Sequence, residues 1–244
     1  MAFERIAVPG GALLFDPRLA GDDPAVLFDR ARWQRLGALE QARGGRGSIS
    51  FIDAGARQYV LRRYLRGGLV AKLSRERYVW LGEERTRAFR ELRLLGRLLD
   101  LGLPVPPPVA ARYVRHGLTY SAELVTERLP RTRSLAETWL RGEATPADWE
   151  AVGRCLRLFH DRGVQHADLN ANNVMLGEAG QVWLLDFDRG RVREPGSWHR
   201  RPLERLARSL AKISRGRPQA PEASACQARI VAAHDDKGSA PQAR

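Results

Sequence analysis

His166-Ala-Asp168-Leu-Asn170-Ala-Asn172-Asn173-Val-Met-Leu176, followed after one turn by Val182-Trp-Leu-Leu-Asp186-Phe187-Asp188, sets Asp168, Asn173 and Asp186 five and then thirteen residues apart. Metal-assisted phosphoryl transfer needs such a set. Asp168 would accept or orient the proton of an attacking hydroxyl, and Asn173 and Asp186 would hold the Mg²⁺ ions that bridge nucleotide phosphates. Asp and Asn between a helix and an apolar strand also form turns, because their side chains bond nearby backbone groups. Turn chemistry explains any one of these residues. It does not explain the ordered set: His-x-Asp, an Asn five residues later, an apolar strand, a turn, a second apolar strand and Asp-Phe-Asp. The two strands predict a hairpin that brings Asn173 and Asp186 toward one metal site, with Phe187 packed beneath. His166 is expected to brace the loop rather than serve as the base, since the carboxylate two residues on is better placed. Asp188 is either a further contact or a turn residue.

Such a site also needs a phosphate cradle and a cation. Gly44-Gly45-Arg46-Gly47-Ser48 precedes two strand-like runs, Ile49 to Asp53 and Gln58 to Leu65. Without Cβ atoms, Gly45 and Gly47 would let backbone N–H groups approach phosphates; an ordinary hairpin turn is the competing reading. In Tyr59-Val60-Leu61-Arg62-Arg63-Tyr64, strand alternation puts Val60 and Arg62 on one face. Arg62 is therefore the positional candidate for the phosphate-gripping cation. Lys72 is its rival, the only lysine before the catalytic loop. The clearest helix runs from about Glu83 to Asp100, with Phe89, Leu92, Leu95 and Leu99 as its apolar stripe. Its Glu91 is the carboxylate expected to pair with the cation. Leu118 to Thr126 reads as a strand ending in Glu127-Arg128-Leu129-Pro130, where a hinge with Glu127 would read the adenine. Ser134 and Thr145 open two helices by capping signals, and the second runs directly into the catalytic loop.

No run of eighteen apolar residues exists, and no secretory leader is visible, so the expected compartment is the cytoplasm. Two cysteines, Cys155 and Cys226, argue against a disulfide scaffold or a cysteine metal site. The net charge is +13, and residues 189 to 217 hold ten Lys/Arg against Glu194 and Glu204. The excess lies next to the proposed site, where it could meet nucleic acid, an anionic membrane or a polyanionic substrate, or be only a solvated helix face. The division expected is an N-terminal extension (1–40), an N-lobe (41–130), a C-lobe (131–214) and a low-complexity, disordered tail (215–244). Within the tail a helical turn near Ala225 to Ala233 is allowed. A helix from Pro24 to Leu39 and an amphipathic helix from about Leu203 to Ile213 complete the reading.

From Gly44 to Ile213 the chain resembles the 3-deoxy-D-manno-octulosonic acid (Kdo) kinases, in the lipopolysaccharide-kinase branch of the protein-kinase-like superfamily. The segments that carry the likeness are Tyr59 to Lys72, Glu84 to Leu92, Gly102-Leu-Pro-Val-Pro106, His166 to Asn173 and Asp186-Phe-Asp188, where Asp188 stands in place of the glycine of protein kinases. The resemblance implies an α+β, bilobal protein-kinase-like fold: an N-lobe antiparallel sheet plus one helix, and a mainly helical C-lobe with the catalytic hairpin. It implies ATP and Mg²⁺ as cofactors and phosphorylation of the 4-hydroxyl of Kdo on lipid A. It further implies a peripheral position on the anionic cytoplasmic face of the inner membrane, with no nucleic-acid partner. The likeness ends near Lys212, where further folded sequence is expected. Two other readings use the same residues: a sugar or aminoglycoside phosphotransferase, and a noncatalytic kinase-like scaffold that binds anionic surfaces.

Overall fold

The structure is a computed structural model that describes residues 1–42, 48–65, 77–194, 196–215 and 222–236. It divides into two compact units: Met1–Arg97 with Pro106–Arg128, and Leu98–Val105 with the chain from Leu129 onward.

The first unit begins with the hairpin β1 (Glu4–Val8) and β2 (Gly11–Phe15), then a short helix α1 (Pro17–Ala20), a 3-10 turn and helix α2 (Arg30–Arg35). There follow β3 (Leu39–Gln41), β4 (Ile49–Asp53), β5 (Gln58–Arg63), β6 (Tyr78–Val79), helix α3 (Arg87–Asp100), β7 (Pro108–His116) and β8 (Thr119–Glu127). Among the described residues these strands form one antiparallel sheet, ordered β1-β2-β7-β8-β5-β4-β3, with β6 on the far end of β8.

Residues 1 to 40 are therefore no extension. β2 pairs with β7 over Gly11 to Phe15, and Leu13, Phe15, Leu27, Phe28 and Trp33 are buried against Ile52, Tyr59, Leu61 and Val125. The expected helix from Pro24 to Leu39 is interrupted at Asp29, whose carboxylate accepts from the Arg32 N–H at 2.9 Å and caps α2. Leu39 belongs to β3. The helix expected from Glu83 is likewise split by extended Thr86 into a 3-10 turn and α3.

The sheet has two covered faces. Tyr59 and Leu61 of β5 point into the cluster built by the N-terminal segment. One residue along, Arg62 points to the other face, where α3 lies; there Phe89 meets Tyr113 of β7 edge-on at 5.3 Å.

The second unit contains β9 (Arg133–Ser134), α4 (Leu135–Leu140), α5 (Pro146–Asp161), β10 (Val164–Gln165), β11 (Val174–Leu176), β12 (Val182–Leu184), β13 (Arg191–Val192), α6 (Arg200–Ser214) and α7 (Ala223–Asp235). Thr145 and Asp148 close a reciprocal capping box on α5, and Ser134 caps α4. Both starts agree with the capping signals. α7 corrects the disordered tail expected after residue 214. Cys226, Ile230 and His234 are buried, and Gly153 of α5 sits so close beneath that an added Cβ would lie 2.4 Å from the Ile230 carbonyl. Polar and alanine-rich composition concealed this contact, which depends on one side-chain-free position on a different helix.

Candidate active site

α5 ends at Asp161, and the chain reverses at Gly163 (φ +70°), where a Cβ would strike the Arg193 carbonyl at 2.1 Å. β10 then leads into the loop that holds His166 and Asp168. His166 is 4% exposed. Its Nδ1 accepts the Asp168 N–H at 3.1 Å and its Nε2 lies 2.7 Å from the Leu185 carbonyl. A backbone N–H can only donate and a carbonyl can only accept, so the ring carries its proton on Nε2 and is neutral. Burial, the main cause, lowers its pKa and favours the same form. His166 thus ties the Asp168 backbone to Leu185, the residue before Asp186, the bracing function expected of it, and its ring rests 4.7 Å from Phe187. Phe187 is 1% exposed and stacks on Phe159 of α5 at 5.6 Å.

The amide groups of Asn170 and Asn173 both donate to the Asp168 carbonyl, at 2.9 and 3.0 Å. Asn173 also accepts the Leu185 N–H on its own carbonyl at 2.9 Å. Asn173 is therefore fixed between the loop and the strand that carries Asp186, with its side-chain oxygen left to ligate. Asp186 has φ +64°, a left-handed conformation that Asp tolerates better than most residues and that tertiary structure must hold in place. β11 and β12 pair with Val174 opposite Leu184, so the hairpin brings Asn173 and Asp186 to one end. Among the described residues no cluster of three or more His, Cys, Asp or Glu could hold a metal. An amide oxygen and a carboxylate suit Mg²⁺, which takes one or two protein oxygens and completes its shell with water and substrate phosphates.

Asp168 is not alone. Its Oδ1 accepts from Nε of Arg205 at 2.8 Å and also from the Arg205 terminal nitrogen, while among the described residues Oδ2 has no hydrogen-bond partner. One turn farther along α6, Ser209 Oγ accepts the Ala171 N–H at 3.2 Å. α6 is thereby pinned to the catalytic loop at two points. Arg205 read only as part of a basic helix face in the sequence.

In the first unit Arg62 and Glu91 are brought together in an ion pair, and Glu91 is 2% exposed. A carboxylate so buried requires such partners. The Tyr64 hydroxyl donates to the same carboxylate at 2.6 Å, and the Arg62 guanidinium lies 4.8 Å from the Tyr64 ring centre. Burial first, then the Glu91 charge, keep the phenol protonated and donating. Tyr64 lies outside the motif; its signal in the sequence is the two-residue spacing from Arg62, which puts both on one strand face.

Gly45, Gly47 and Lys72 lie outside the described residues. Glu127, expected at the adenine, has its N–H and its side chain engaged within the sheet. Its N–H donates to Pro107 at 2.9 Å and its carboxylate pairs with Arg57. The next N–H, of Arg128, donates to Gln58 at 2.8 Å. β8 simply continues its pairing one residue beyond the predicted strand end and consumes these donors.

Residues 30–227 match the profile of the lipopolysaccharide kinase (Kdo/WaaP) family, beyond both limits of the likeness read from the motifs and into α7. A Xylella fastidiosa (strain M23) protein named 3-deoxy-D-manno-octulosonic acid kinase is 47% identical over 205 residues, 83% of this chain and 81% of that protein. One of the same name from Stenotrophomonas maltophilia (strain K279a) is 45% identical over 227 residues, covering 92% and 90%. Among solved structures, WaaP in complex with acyl carrier protein aligns with a TM-score of 0.53 at 17% identity, covering 91% of this chain and 88% of WaaP, a likeness of fold.

Proposed function

Because the chain belongs to the lipopolysaccharide kinase (Kdo/WaaP) family, we propose that it transfers the γ-phosphoryl group of ATP to the 4-hydroxyl of Kdo on lipid A. The observation that carries this reading is the Asp168 loop. A neutral, buried His166 and the Asn173 amide hold a half-exposed carboxylate in place, one oxygen bound to Arg205 and the other without a partner among the described residues.

In this reading Oδ2 of Asp168 accepts the hydrogen bond of the acceptor hydroxyl and orients it for attack, taking the proton as the new oxygen–phosphorus bond forms and the bond from the γ-phosphorus to the β,γ-bridging oxygen breaks, with ADP as the leaving group. Asn173 and Asp186 would hold Mg²⁺, which when bound neutralises charge on the phosphates. Arg62 grips the phosphates, and Glu91 and Tyr64 hold its guanidinium in place. A guanidinium can serve where lysine is common, since its planar fork suits phosphate oxygens.

The Arg-rich flank after Asp188 suits an anionic glycolipid acceptor at a membrane surface, so the site of action is the cytoplasmic face of the inner membrane, peripherally held. No helix among the described residues is long and apolar enough to cross a membrane. Labelled ATP with Kdo-lipid A in mixed micelles tests the reading. Phosphate on Kdo is the expected product. Transfer instead to a soluble sugar or aminoglycoside, with none to Kdo, would move the chain to another acceptor class.

A further inference from the structure

Beside the catalytic loop the second unit has a groove of about 530 Å³, whose lining includes Gln165, His166, Arg189, Arg191, Arg201, Arg205 and Arg208. Glu204 is the one acidic residue in the lining. Arg205 is bound to Asp168; among the described residues Arg189, Arg191, Arg201 and Arg208 have no ion pair. Four unneutralised guanidinium groups around one concavity repel one another, and an anion in their midst relieves that repulsion. The volume falls within the range of small-molecule sites, about 300–1,000 Å³.

We propose that this groove binds the carboxylate of the acceptor sugar acid and thereby selects it; the inference rests on the function proposed above. Three observations favour the acceptor over the nucleotide. Asn173 and Asp186, the residues suited to Mg²⁺ and phosphates, do not line the groove. Gln165, His166 and Ala167, which lead directly into Asp168, do. Arg205 belongs both to the groove and to the Asp168 carboxylate, so a ligand held by the arginines lies beside the base. The geometry is also fixed. Arg201, Arg205 and Arg208 follow one face of α6, and the Ser209–Ala171 and Arg205–Asp168 contacts set the position of that face against the loop. An octulosonic acid carries its carboxylate on the same sugar as the reacting hydroxyl, so the anion and the base must be near neighbours. A phosphate farther along the glycolipid has no such constraint. A carboxylate matched to guanidinium forks gives directed, charge-assisted hydrogen bonds that a neutral sugar cannot make.

The test compares Kdo-lipid A with its Kdo methyl ester as acceptors for the full-length chain and for Arg201→Gln and Arg208→Gln. The wild-type chain is expected to use the acid with a KM lower than that of the ester by about tenfold. Each variant is expected to raise the KM of the acid several-fold and to leave the KM of the ester and of ATP within twofold. Turnover of the ester also shows that each variant is folded. Equal use of acid and ester by the wild-type chain would overturn the proposal. So would variants that raise both acceptor KM values together, which would assign the arginines to the phosphates of lipid A or to the membrane. Phosphorylation of Kdo that ignores the carboxylate refutes the groove alone. No transfer to either Kdo acceptor refutes the proposed function and the inference with it.

Discussion

Asp168 and Asp186 have separable parts in the proposed chemistry, and substitution separates them. Asp168→Ala is expected to abolish transfer while the Kd for ATP, measured by calorimetry, stays within a few fold, because no phosphate contact is lost. Asp186→Ala is expected to weaken Mg-ATP binding as well as turnover; full activity in either variant would overturn the assignment. Tyr64→Phe tests the cation. It removes the hydroxyl that donates to Glu91 at 2.6 Å but keeps the ring beside Arg62. The loss of about one hydrogen bond to a charged group, roughly 1.5–3 kcal/mol, should raise KM for ATP by about tenfold or more with kcat changed less. An unchanged KM would mean that Tyr64 does not position Arg62. At this scale the sequence was informative where chain order equals chemical order: Asp168, Asn173 and Asp186 belong to one loop and hairpin, and Arg62 and Glu91 follow from strand alternation and from a carboxylate on an amphipathic helix. Tyr64 and Arg205 were not distinguished. Arg205 is one of several arginines on its helix, and only folding selects which of them meets Asp168.

α7 is the element that composition concealed, and its docking supplies two tests. Gly153→Ala would ordinarily favour a helix, by up to about 1 kcal/mol. Here the new Cβ would lie 2.4 Å from the Ile230 carbonyl and 2.9 Å from the Ala233 Cβ, so α7 must move away. Cys226, 4% exposed on α7, should then react with a thiol reagent. Cys155, turned toward the Val182 carbonyl, should stay protected. A single reactive thiol per chain is the expected result, and none would mean the contact relaxes in place. The second test is pH. His160 of α5 and His234 of α7 meet through Nδ1 and Nε2 at 2.8 Å, and His234 Nδ1 lies 2.7 Å from Asp235. Burial, then the neighbouring His234, His199 and Arg157, push the His160 pKa down from 6.5 to about 3. The unfolded chain therefore binds a proton that the folded chain refuses as pH falls below 6.5. The stability that neutral, buried His160 contributes is complete above pH 6.5 and is lost progressively as pH falls toward 3. Urea midpoints should drop between pH 7 and pH 5, and His160→Gln should flatten that dependence. The capping signals at Ser134 and Thr145 were legible because a cap is local; an α5–α7 contact through Gly153 spans some eighty residues and leaves no local pattern.

For the chain as a whole, the family match starts at residue 30, yet the folded unit starts earlier. The first forty residues resisted reading because Ala12-Leu13-Leu14-Phe15 is a continuous buried run, which has no alternation to mark it as a strand, and because Asp29 cuts the following helical pattern short. Their place is set by pairing with β7, a hundred residues away in sequence. Leu13 and Phe15 of β2, with Leu27 and Phe28, are 7% exposed or less and cover the sheet face that carries Tyr59 and Leu61. Burial of a large apolar side chain contributes about 1.5–3 kcal/mol, so these four supply on the order of 6–12 kcal/mol. That matches the whole net stability of an ordinary domain, about 5–15 kcal/mol. A chain shortened to begin at Arg30 keeps every residue proposed for the site, but it exposes Tyr59, Leu61, Val109 and Val125 and removes the β2 partner of β7. It is expected to be insoluble or to lose cooperative unfolding of the first unit, with Arg62 and Glu91 no longer held together and ATP binding lost. A soluble, cooperatively folding chain that starts at Arg30 and binds ATP with unchanged affinity would show that β1, β2 and α1 are dispensable to the unit. In that case the stability would have to reside in the contacts of α3 with the opposite face of the sheet.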